Sequence, residues 1–411
     1  MILDSRGYPT VEVELTLAEN GFGRASVPSG ASTGSHEALE LRDGDIFFGG
    51  KGVNKALANI SSVIAPACIG KTFDSQKSFD AFLRELDGTP NKEALGANAL
   101  LAVSLSFAKA CAQASQKELY DYLRAEYPWQ NEMSIPTPLI NVLNGGKHAS
   151  ASTDVQEWML VPKKAKTFAE AIEKSARVFY TLRDEMKKRG QSGVGDEGGF
   201  PLTNAGGNED ALKLLSNAVL ASGFTLGEDF SFALDVASSE LYKDKHYELE
   251  CDHVTYTGRE MINWLQSIST RYPIVSIEDG LSEDDWSSWK TYTKESGAVM
   301  QLVGDDLFVT NTFFIEKGIN EQVANAVLIK PNQIGTLSET ADAIMLAQKH
   351  GYATIISHRS GETEDVTIAH LAVASGAGQI KTGSLSRTER LAKYNELLRI
   401  SEKVTKYSNH F

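Results

Sequence analysis

The chain has 411 residues, of which 42% are hydrophobic and 23% charged, and its formal net charge is −14. The composition is that of a globular protein, and the length exceeds one usual hydrophobic core, so two domains are predicted. No apolar run approaches the length of a membrane span, and the first residues lack a basic-then-apolar leader. We therefore expect a cytoplasmic protein that is not integral to a membrane, while a secondary pool at the cell surface or outside the cell stays open. The acidic balance disfavours nucleic acid as a partner.

The first third of the chain mixes strand and helix patterns. Residues 9–17 alternate apolar and polar side chains, residues 24–28 form a second short strand pattern, and residues 91–124 are rich in helix-forming residues. Prolines at positions 128, 136 and 138 then indicate a boundary. We predict an N-terminal α+β domain over residues 1–127 and a second domain over residues 128–411.

In the second domain, short apolar runs alternate with helical segments, and each run stops at a charged or strongly polar residue. The stops are Asp235, Glu278, Asp305, Lys330, His358 and Lys381. From 278 they follow at 305, 330, 358 and 381, at spacings of 27, 25, 28 and 23 residues, which is about one strand plus one helix. This repetition of β-α units predicts a (β/α)8-type barrel.

The strand ends of such a barrel converge on one mouth, where the chemistry of the fold takes place. Three carboxylates there, Asp235, Glu278 and Asp305, would repel one another unless they held a hard cation such as Mg²⁺. Arg359 and Lys381 would attract an anionic substrate, and the guanidinium fork suits phosphate. Lys330 becomes a usable base beside a metal ion and a second ammonium group. Asp305 alone is equally well interpreted as a solvated loop charge; the six ends together favour a site.

Three further motifs are weak when each is taken alone. Glycines around Asp196 and Glu197 let a carboxyl approach a ligand as a general acid, although a plain acidic turn is the more common interpretation. The loop over residues 29–34 offers amides and hydroxyls to an anion or a metal ion and can act as a hinge. His148, followed by Gln156 and Glu157, is compatible with a substrate site or with an ordinary structural histidine.

Together these residues make the sequence resemble the enolase family, of the bacterial type, almost from end to end. The matching segments are Leu3–Gly7, Pro28–Gly34, Glu40–Gly44, Gly96–Ala99, Asn144–Gly146 with His148, Val194–Gly199, Ser276–Gly280, Gly304–Asp306, Ile329–Gly335, Ser357–Asp365 and Gln379–Gly383. The resemblance implies an N-terminal α+β domain, then a barrel whose first strands are antiparallel, assembled as a homodimer or octamer.

The same resemblance implies a lyase that converts 2-phospho-D-glycerate to phosphoenolpyruvate and water. It implies two Mg²⁺ ions, one held by Asp235, Glu278 and Asp305 and the other by Ser32 together with the substrate phosphate. Lys330 would remove the C2 proton, and Glu197 would help to expel the C3 hydroxyl. The substrate site would be lined by His148, Gln156, Glu157, His358, Arg359, Ser360 and Lys381.

Two alternatives belong to other classes of function. A binding or structural protein built on the same fold would be free to lose Glu197, Lys330 or the three carboxylates, and all five are present. A lyase that acts on a different hydroxy acid would need another acid–base arrangement and no loop for a second metal ion. Formation of phosphoenolpyruvate from 2-phosphoglycerate discriminates between the three.

Overall fold

The computed structural model describes residues 1–18, 20–31, 34–44, 46–149 and 152–411, and the first part of the chain is an α+β unit. Its elements are β1 (Ile2–Leu3), β2 (Pro9–Thr10), β3 (Glu12–Thr16), β4 (Phe22–Ser26), α1 (Asn54–Asn59), α2 (Ala65–Cys68), α3 (Gln76–Asp87), α4 (Ala97–Ala114) and α5 (Leu119–Glu126). Strand β1 pairs antiparallel with β2, and β3 pairs antiparallel with β4. The helix pattern over residues 91–124 becomes two helices because the chain turns between α4 and α5, where Gln116 has a φ of 54°.

The rest of the chain builds a closed parallel-rich sheet. Its strands and the hairpin strands between them are β5 (Thr137–Asn144), β6 (Glu157–Pro162), β7 (Phe200–Pro201), β8 (Phe230–Asp235), β9 (Tyr242–Lys243), β10 (His246–Leu249), β11 (Val254–Tyr256), β12 (Ile274–Glu278), β13 (Gln301–Gly304), β14 (Ala326–Ile329), β15 (Ala353–Ser357) and β16 (Gly378–Lys381). In the described part of the chain, eight of these (β5, β6, β8 and β12 to β16) close into a barrel, because β16 pairs with β5. Only β6 in this barrel runs antiparallel to its neighbours. The predicted fold class is confirmed.

Helices surround the barrel and return the chain from one strand to the next. They are α6 (Phe168–Lys188), α7 (Glu209–Ala221), α8 (Gly258–Arg271), α9 (Trp286–Ser296), α10 (Thr312–Glu321), α11 (Pro331–Ile334), α12 (Leu337–Lys349), α13 (Thr367–Ser375) and α14 (Thr388–Ser401). Several begin at local signals, such as the reciprocal capping box of Thr257 and Glu260 at α8. Within the described ranges, we find no helix with the length and apolar character that crossing a lipid bilayer requires.

The barrel interior is filled by its own small apolar core, distinct from the larger core under the helices. Its buried members come from six strands and are Leu139, Met159, Val161, Ala233, Val303, Ala326, Leu328 and Ile355. At the opposite end from the strand carboxyl termini, Phe411 packs against this core, and His410 contacts Gln301 Oε1 at 3.1 Å. The barrel interior is therefore a packed body, and the fold places a ligand site at its mouth.

Helix α4 lies directly on the β3–β4 hairpin, and the approach depends on a glycine. A Cβ atom on Gly23 would stand 1.9 Å from the carbonyl oxygen of Ser106 and 2.6 Å from the amide nitrogen of Ala110, both backbone atoms of α4. A side chain there has no rotamer that avoids the helix, so the hairpin would have to move. Gly23 thus fixes the strand that leads to the loop over residues 29–34.

We expect Gly23→Ala to lower the free energy of unfolding by about 1–3 kcal/mol, because overpacking against a rigid backbone forces the two elements apart. Chemical denaturation followed by circular dichroism measures the loss. Gly193→Ala is the matched control, since a Cβ there meets no atom within 4 Å and its effect should stay within about 0.5 kcal/mol. Equal stability of the two variants would contradict the packing argument.

Candidate active site at the barrel mouth

The register of the strands sets three carboxylates side by side at the mouth. Asp235, the last residue of β8, is aligned with Glu278 at the end of β12 and with Glu157 at the start of β6. Glu157 reaches this rim because β6 is antiparallel and begins where the parallel strands end. Two predicted metal ligands and one predicted substrate residue are therefore neighbours.

The polar side chains of the mouth continue the rows of residues that face the barrel interior. Strand residues alternate between the two faces, so positions two apart share one face. Interior core residues on five strands are Leu139, Met159, Ala233, Val303 and Leu328. The residues two positions nearer the mouth are Asn141, Glu157, Asp235, Asp305 and Lys330. The polar residues of the mouth therefore lie on the same inward-facing side of each strand as the apolar residues that fill the barrel.

Lys381, the last residue of β16, lies among the three aligned carboxylates. Its Nζ donates to Asp235 Oδ2 at 2.8 Å and to the two oxygens of Glu278 at 2.9 and 3.0 Å, and it lies 3.3 Å from Glu157 Oε1. Burial, together with the neighbouring carboxylates, raises the pKa values of Glu157 and Glu278 well above their usual range. Burial opposes the charged amine, but the same carboxylates raise the pKa of Lys381. One buried ammonium group therefore faces three acidic groups.

A second ion pair joins the next two strand ends. Lys330, which follows β14, donates through Nζ to Asp305, which follows β13. The other oxygen of Asp305 accepts a hydrogen bond of 2.9 Å from Gln333 Nε2. Burial opposes both charges, but the ion pair dominates, so the pKa of Asp305 is lowered and that of Lys330 is raised. In this arrangement Lys330 is protonated at neutral pH and must lose a proton before it can act as a base.

Glu197 lies across the pocket, and its carboxylate is surrounded by an amide group and two imidazole rings. Its Oε2 accepts a 2.9 Å hydrogen bond from Asn141 Nδ2 and lies 3.5 Å from His358 Nε2, while its Oε1 lies 3.8 Å from His148 Nε2. Burial disfavours the carboxylate, but the two imidazoles hold the pKa of Glu197 well below its usual range. Burial also lowers the pKa of His358 to about 4. His148 Nδ1 lies 4.0 Å from Glu157, so this ring stands between two acids.

Arg359 and Ser360 follow β15 and are tied to the N-terminal unit. The guanidinium of Arg359 forms a two-point ion pair with Glu37, at 2.9 and 3.1 Å. Ser360 Oγ accepts a hydrogen bond of 3.4 Å from Arg6 Nη1. The neighbouring Gly361 exchanges two backbone hydrogen bonds with Ser29, of 2.7 and 2.9 Å, so the loop that starts at Ser29 is anchored beside these residues. Arg359, whose fork is predicted to suit phosphate, thus already binds an anionic group, and Ser360, predicted to line the substrate site, lies next to it in the chain.

A pocket with an empty volume of about 290 Å³ opens between these groups. It is lined by Ala31, His148, Gln156, Glu157, Glu197, Asp235, Lys330, Ser357, His358, Arg359, Ser360 and Lys381. Both predicted catalytic residues and all seven predicted substrate residues are on this wall, whereas Glu278 and Asp305 lie behind Lys381 and Lys330. Ser32 lies outside the described residues. A wider open groove beside residues 2–5 and 362–366 contains none of the predicted residues.

The donor set of the mouth suits a divalent cation, although not in one compact triad. Among the described residues, two groups place one ligand atom each within 4.8 Å of the others: His148, Glu157 and Glu197, and Asp279, Asp305 and Asp306. In the second group Asp279 is engaged, because it accepts the backbone N–H groups of Asp305 and Asp306 at 2.9 Å each. The predicted ligands Asp235 and Glu278 instead share Lys381. Buried carboxylates that recruit lysines are oxygen donors of the kind that hard cations bind.

A closed eight-stranded barrel whose carboxylates, lysines and histidines meet at the C-terminal ends of its strands defines a protein of the TIM-barrel class with its site at the mouth. Two family models match the chain: "Enolase, N-terminal domain" over residues 1–123 and "Enolase, C-terminal TIM barrel domain" over residues 132–410. The chain belongs to the enolase family. Membership indicates a lyase of the enolase superfamily that acts on a small-molecule substrate, on a fold that usually binds a divalent metal ion.

Several residues of the site escaped prediction from the sequence. Asn141 could have been found, since it lies at an inward-facing position near the end of β5. Gln333 and Glu37 carry no local signal, because each acts on a residue far away in the chain, Asp305 and Arg359 respectively. Arg390, on α14, reaches His358 from 32 residues away. These contacts depend on which loops lie close together in the folded protein, and the pattern of residues along the sequence does not carry that information.

We expect Lys381→Met to destabilise the chelator-treated protein by about 3–5 kcal/mol, because removal of one partner leaves buried carboxylates without their cation. The native variant would bind more protons than its unfolded form, so the loss should grow as the pH rises above about 4, the pKa of a carboxyl group in the unfolded chain. Denaturant unfolding at several pH values measures it. Lys164→Met is the control: its ion pair with Glu228 is exposed, and such pairs contribute about 0–1 kcal/mol. A loss that shrinks with rising pH would contradict this assignment of charges.

Proposed function

We propose that this enolase-family chain is a phosphopyruvate hydratase of the bacterial type, which converts 2-phospho-D-glycerate to phosphoenolpyruvate and water in glycolysis and runs in reverse in gluconeogenesis. The observation that carries the proposal is that Lys330 and Glu197 line one pocket together with Arg359, Ser360 and Lys381. A base and an acid separated by a cationic pocket suit removal of a proton and a hydroxyl from neighbouring carbons of an anion.

The substrate would be oriented by its two anionic ends. Arg359 and Ser360 would receive the phosphate, because the planar fork of arginine donates two parallel hydrogen bonds to phosphate oxygens. In the structure, the carboxylate of Glu37 binds this fork through two hydrogen bonds of 2.9 and 3.1 Å. This contact supports the proposal that the guanidinium binds an anionic group of the substrate. Lys381 would face the substrate carboxylate, and His148, Gln156, Glu157 and His358 would complete the wall.

Two Mg²⁺ ions would be held by Asp235, Glu278 and Asp305 and by Ser32 with the phosphate; when bound, they supply positive charge for the carboxylate on which negative charge develops. The buried oxygen donors fit this role. Burial and the positive charges of Arg359 and Lys381 lower the pKa of Lys330, whereas Asp305 and, to a smaller extent, Glu278 raise it. Any contact that draws Asp305 away from Lys330 therefore moves the amine toward the neutral form that takes the C2 proton.

The acid for the departing hydroxyl would be Glu197. As the side chains stand, this carboxyl is ionised, while the pKa of Glu157 is raised and His148 lies between the two. The two carboxyls therefore compete for protons as a coupled pair. An anionic substrate raises the proton affinity of both carboxyls, which is the change that Glu197 needs before it can protonate the hydroxyl. Asn141 would hold Glu197 in place throughout.

We also propose the domain division at residues 127 and 128, a homodimer or octamer as the assembly, and a cytoplasmic location. The two matched family segments end at residue 123 and begin at residue 132, which supports the division. The net charge of −14 supports the absence of nucleic acid among the partners.

Purified protein should form phosphoenolpyruvate from 2-phosphoglycerate in the presence of Mg²⁺, followed as the absorbance of the enol product. Chelation should stop the reaction, and added Mg²⁺ should restore it, because carboxylates alone cannot stabilise the enolate. A protein that gives no product, or whose rate ignores the chelator, is not this enzyme. Activity on another hydroxy acid but not on 2-phosphoglycerate would point to a different lyase of the superfamily.

Two variants should separate the half-reactions. Lys330→Ala should abolish exchange of the C2 proton with solvent, because the base is gone. Glu197→Gln should keep this exchange while product formation falls by about 10²–10⁴-fold, the usual contribution of a general acid. Exchange of the C2 deuteron measured by NMR, beside a product assay, tests both. Lys403→Ala, at an exposed lysine paired with Glu118, is the control; retained exchange in Lys330→Ala would remove Lys330 as the base.

A further inference from the structure

Arg390 is a buried cation in an unfavourable place. It lies in the first turn of α14, where the helix dipole disfavours positive charge, and its relative exposure is 0%. Among the described residues, the carboxylate nearest to its guanidinium is Glu389, 3.5 Å from Nε. A fully buried positive charge in the first turn of a helix does not stabilise that helix. Its contacts with other parts of the structure therefore explain its presence.

Those contacts are with neutral acceptors on the loops that carry the site. Nη1 lies 2.6 Å from His358 Nδ1 and donates to the carbonyl oxygen of Arg359 at 2.5 Å. Nη2 donates to the carbonyl oxygens of Ser360 at 2.5 Å and Asp196 at 3.0 Å. One guanidinium thus connects the loop after β15 with the loop that holds Glu197.

The contact with Arg390 determines which nitrogen of the His358 imidazole carries the proton. A guanidinium has donors only, so His358 Nδ1 must accept, and in a neutral imidazole the proton then resides on Nε2. Nε2 is buried and faces Glu197 Oε2 at 3.5 Å, and among the residues that the structure describes it has no hydrogen-bond partner. A donor is therefore aimed at the acid and at the pocket.

The room for this arrangement is provided by a glycine. Gly383 has a φ of +78°, and a Cβ there would stand 2.8 Å both from Arg390 Cδ and from the carbonyl oxygen of Glu197. The next residue, Ser384, donates its backbone N–H to the same carbonyl oxygen at 2.9 Å. The turn after β16 is therefore shaped around the side chain of Arg390 and the backbone of Glu197.

We propose that Arg390 is a positioning residue that holds His358 as the neutral Nε2–H tautomer and keeps the His358 and Glu197 loops in register. For its effect on turnover, the inference rests on the proposed function; the tautomer itself does not. Arg390 is not itself one of the residues that line the pocket, so it acts through His358 and the two loops.

The tautomer can be observed directly in protein labelled with ¹⁵N-histidine, through the two-bond nitrogen–proton correlations of the imidazole rings, with His358→Gln used to assign the signal. In the wild-type protein, His358 should carry its proton on Nε2. In Arg390→Met and Arg390→Lys it should shift toward the Nδ1–H form. The lysine variant keeps a buried positive charge but lacks the planar fork, so it separates charge from directed donation.

Lys393→Met is the matched control. Lys393 lies on the same helix, is equally buried, and donates to Glu362 at 2.9 Å; in the described part of the chain its hydrogen bonds do not include His358 or the Glu197 loop. It should lose stability in a denaturant titration and keep the Nε2–H signal. In the product assay, both Arg390 variants should lower kcat by on the order of 10²-fold, as expected when an acid–base group is misoriented.

Several results would overturn the inference. They are a wild-type His358 protonated on Nδ1, Arg390 variants that keep the Nε2–H signal, or a signal lost equally in Lys393→Met. If Arg390→Met fails to fold, the wild-type tautomer and the lysine variant decide. Absence of any turnover in the wild-type protein would reject the proposed function, while the NMR measurement would still support or overturn the role of Arg390.

Discussion

Buried negative charge at the mouth of the barrel is the constraint around which the rest of the site is arranged. The strand register aligns Glu157, Asp235 and Glu278 on adjacent strands, and all three are removed from water. Such a set is tolerable only with a compensating cation and satisfied hydrogen bonds. Lys381 provides one positive charge for three acids, which leaves the cluster with an affinity for further cations. Buried oxygen donors of this kind suit a divalent metal ion, which the enolase fold usually binds.

The positive and neutral groups follow from this first constraint. Lys330 compensates Asp305, and Arg359 is compensated by Glu37, so each of these four charges has a partner of opposite sign. The overall charge of −14 would repel an anion, yet the pocket presents Arg359, Lys330 and Lys381 toward it. For the binding of an anion, the local electrostatic field at the buried mouth therefore matters more than the net charge of the whole protein.

The N-terminal unit takes part in the site rather than merely preceding it. Ser29 is bound to Gly361 through two backbone hydrogen bonds, and Arg6 reaches Ser360 and the carbonyl oxygens of the loop that begins at Ser29. Ala31 of that loop lines the pocket. The described start of this loop is therefore anchored on the barrel and forms part of the pocket wall.

The sequence by itself determined the barrel and the residue types at its mouth, because alternation within strands and the spacing of the polar stops are local, periodic properties. It placed Asp235, Glu278, Asp305, Lys330, His358 and Lys381 at or next to strand ends, as the structure has them. Only the tertiary structure decided which charges pair, since the partnership of Lys381 with Asp235 and Glu278, of Glu37 with Arg359, and of Arg390 with His358 depends on register and on loop crossings. Those pairings join residues remote in the chain, and electrostatic interaction depends on distance in space, which periodicity along a sequence does not encode.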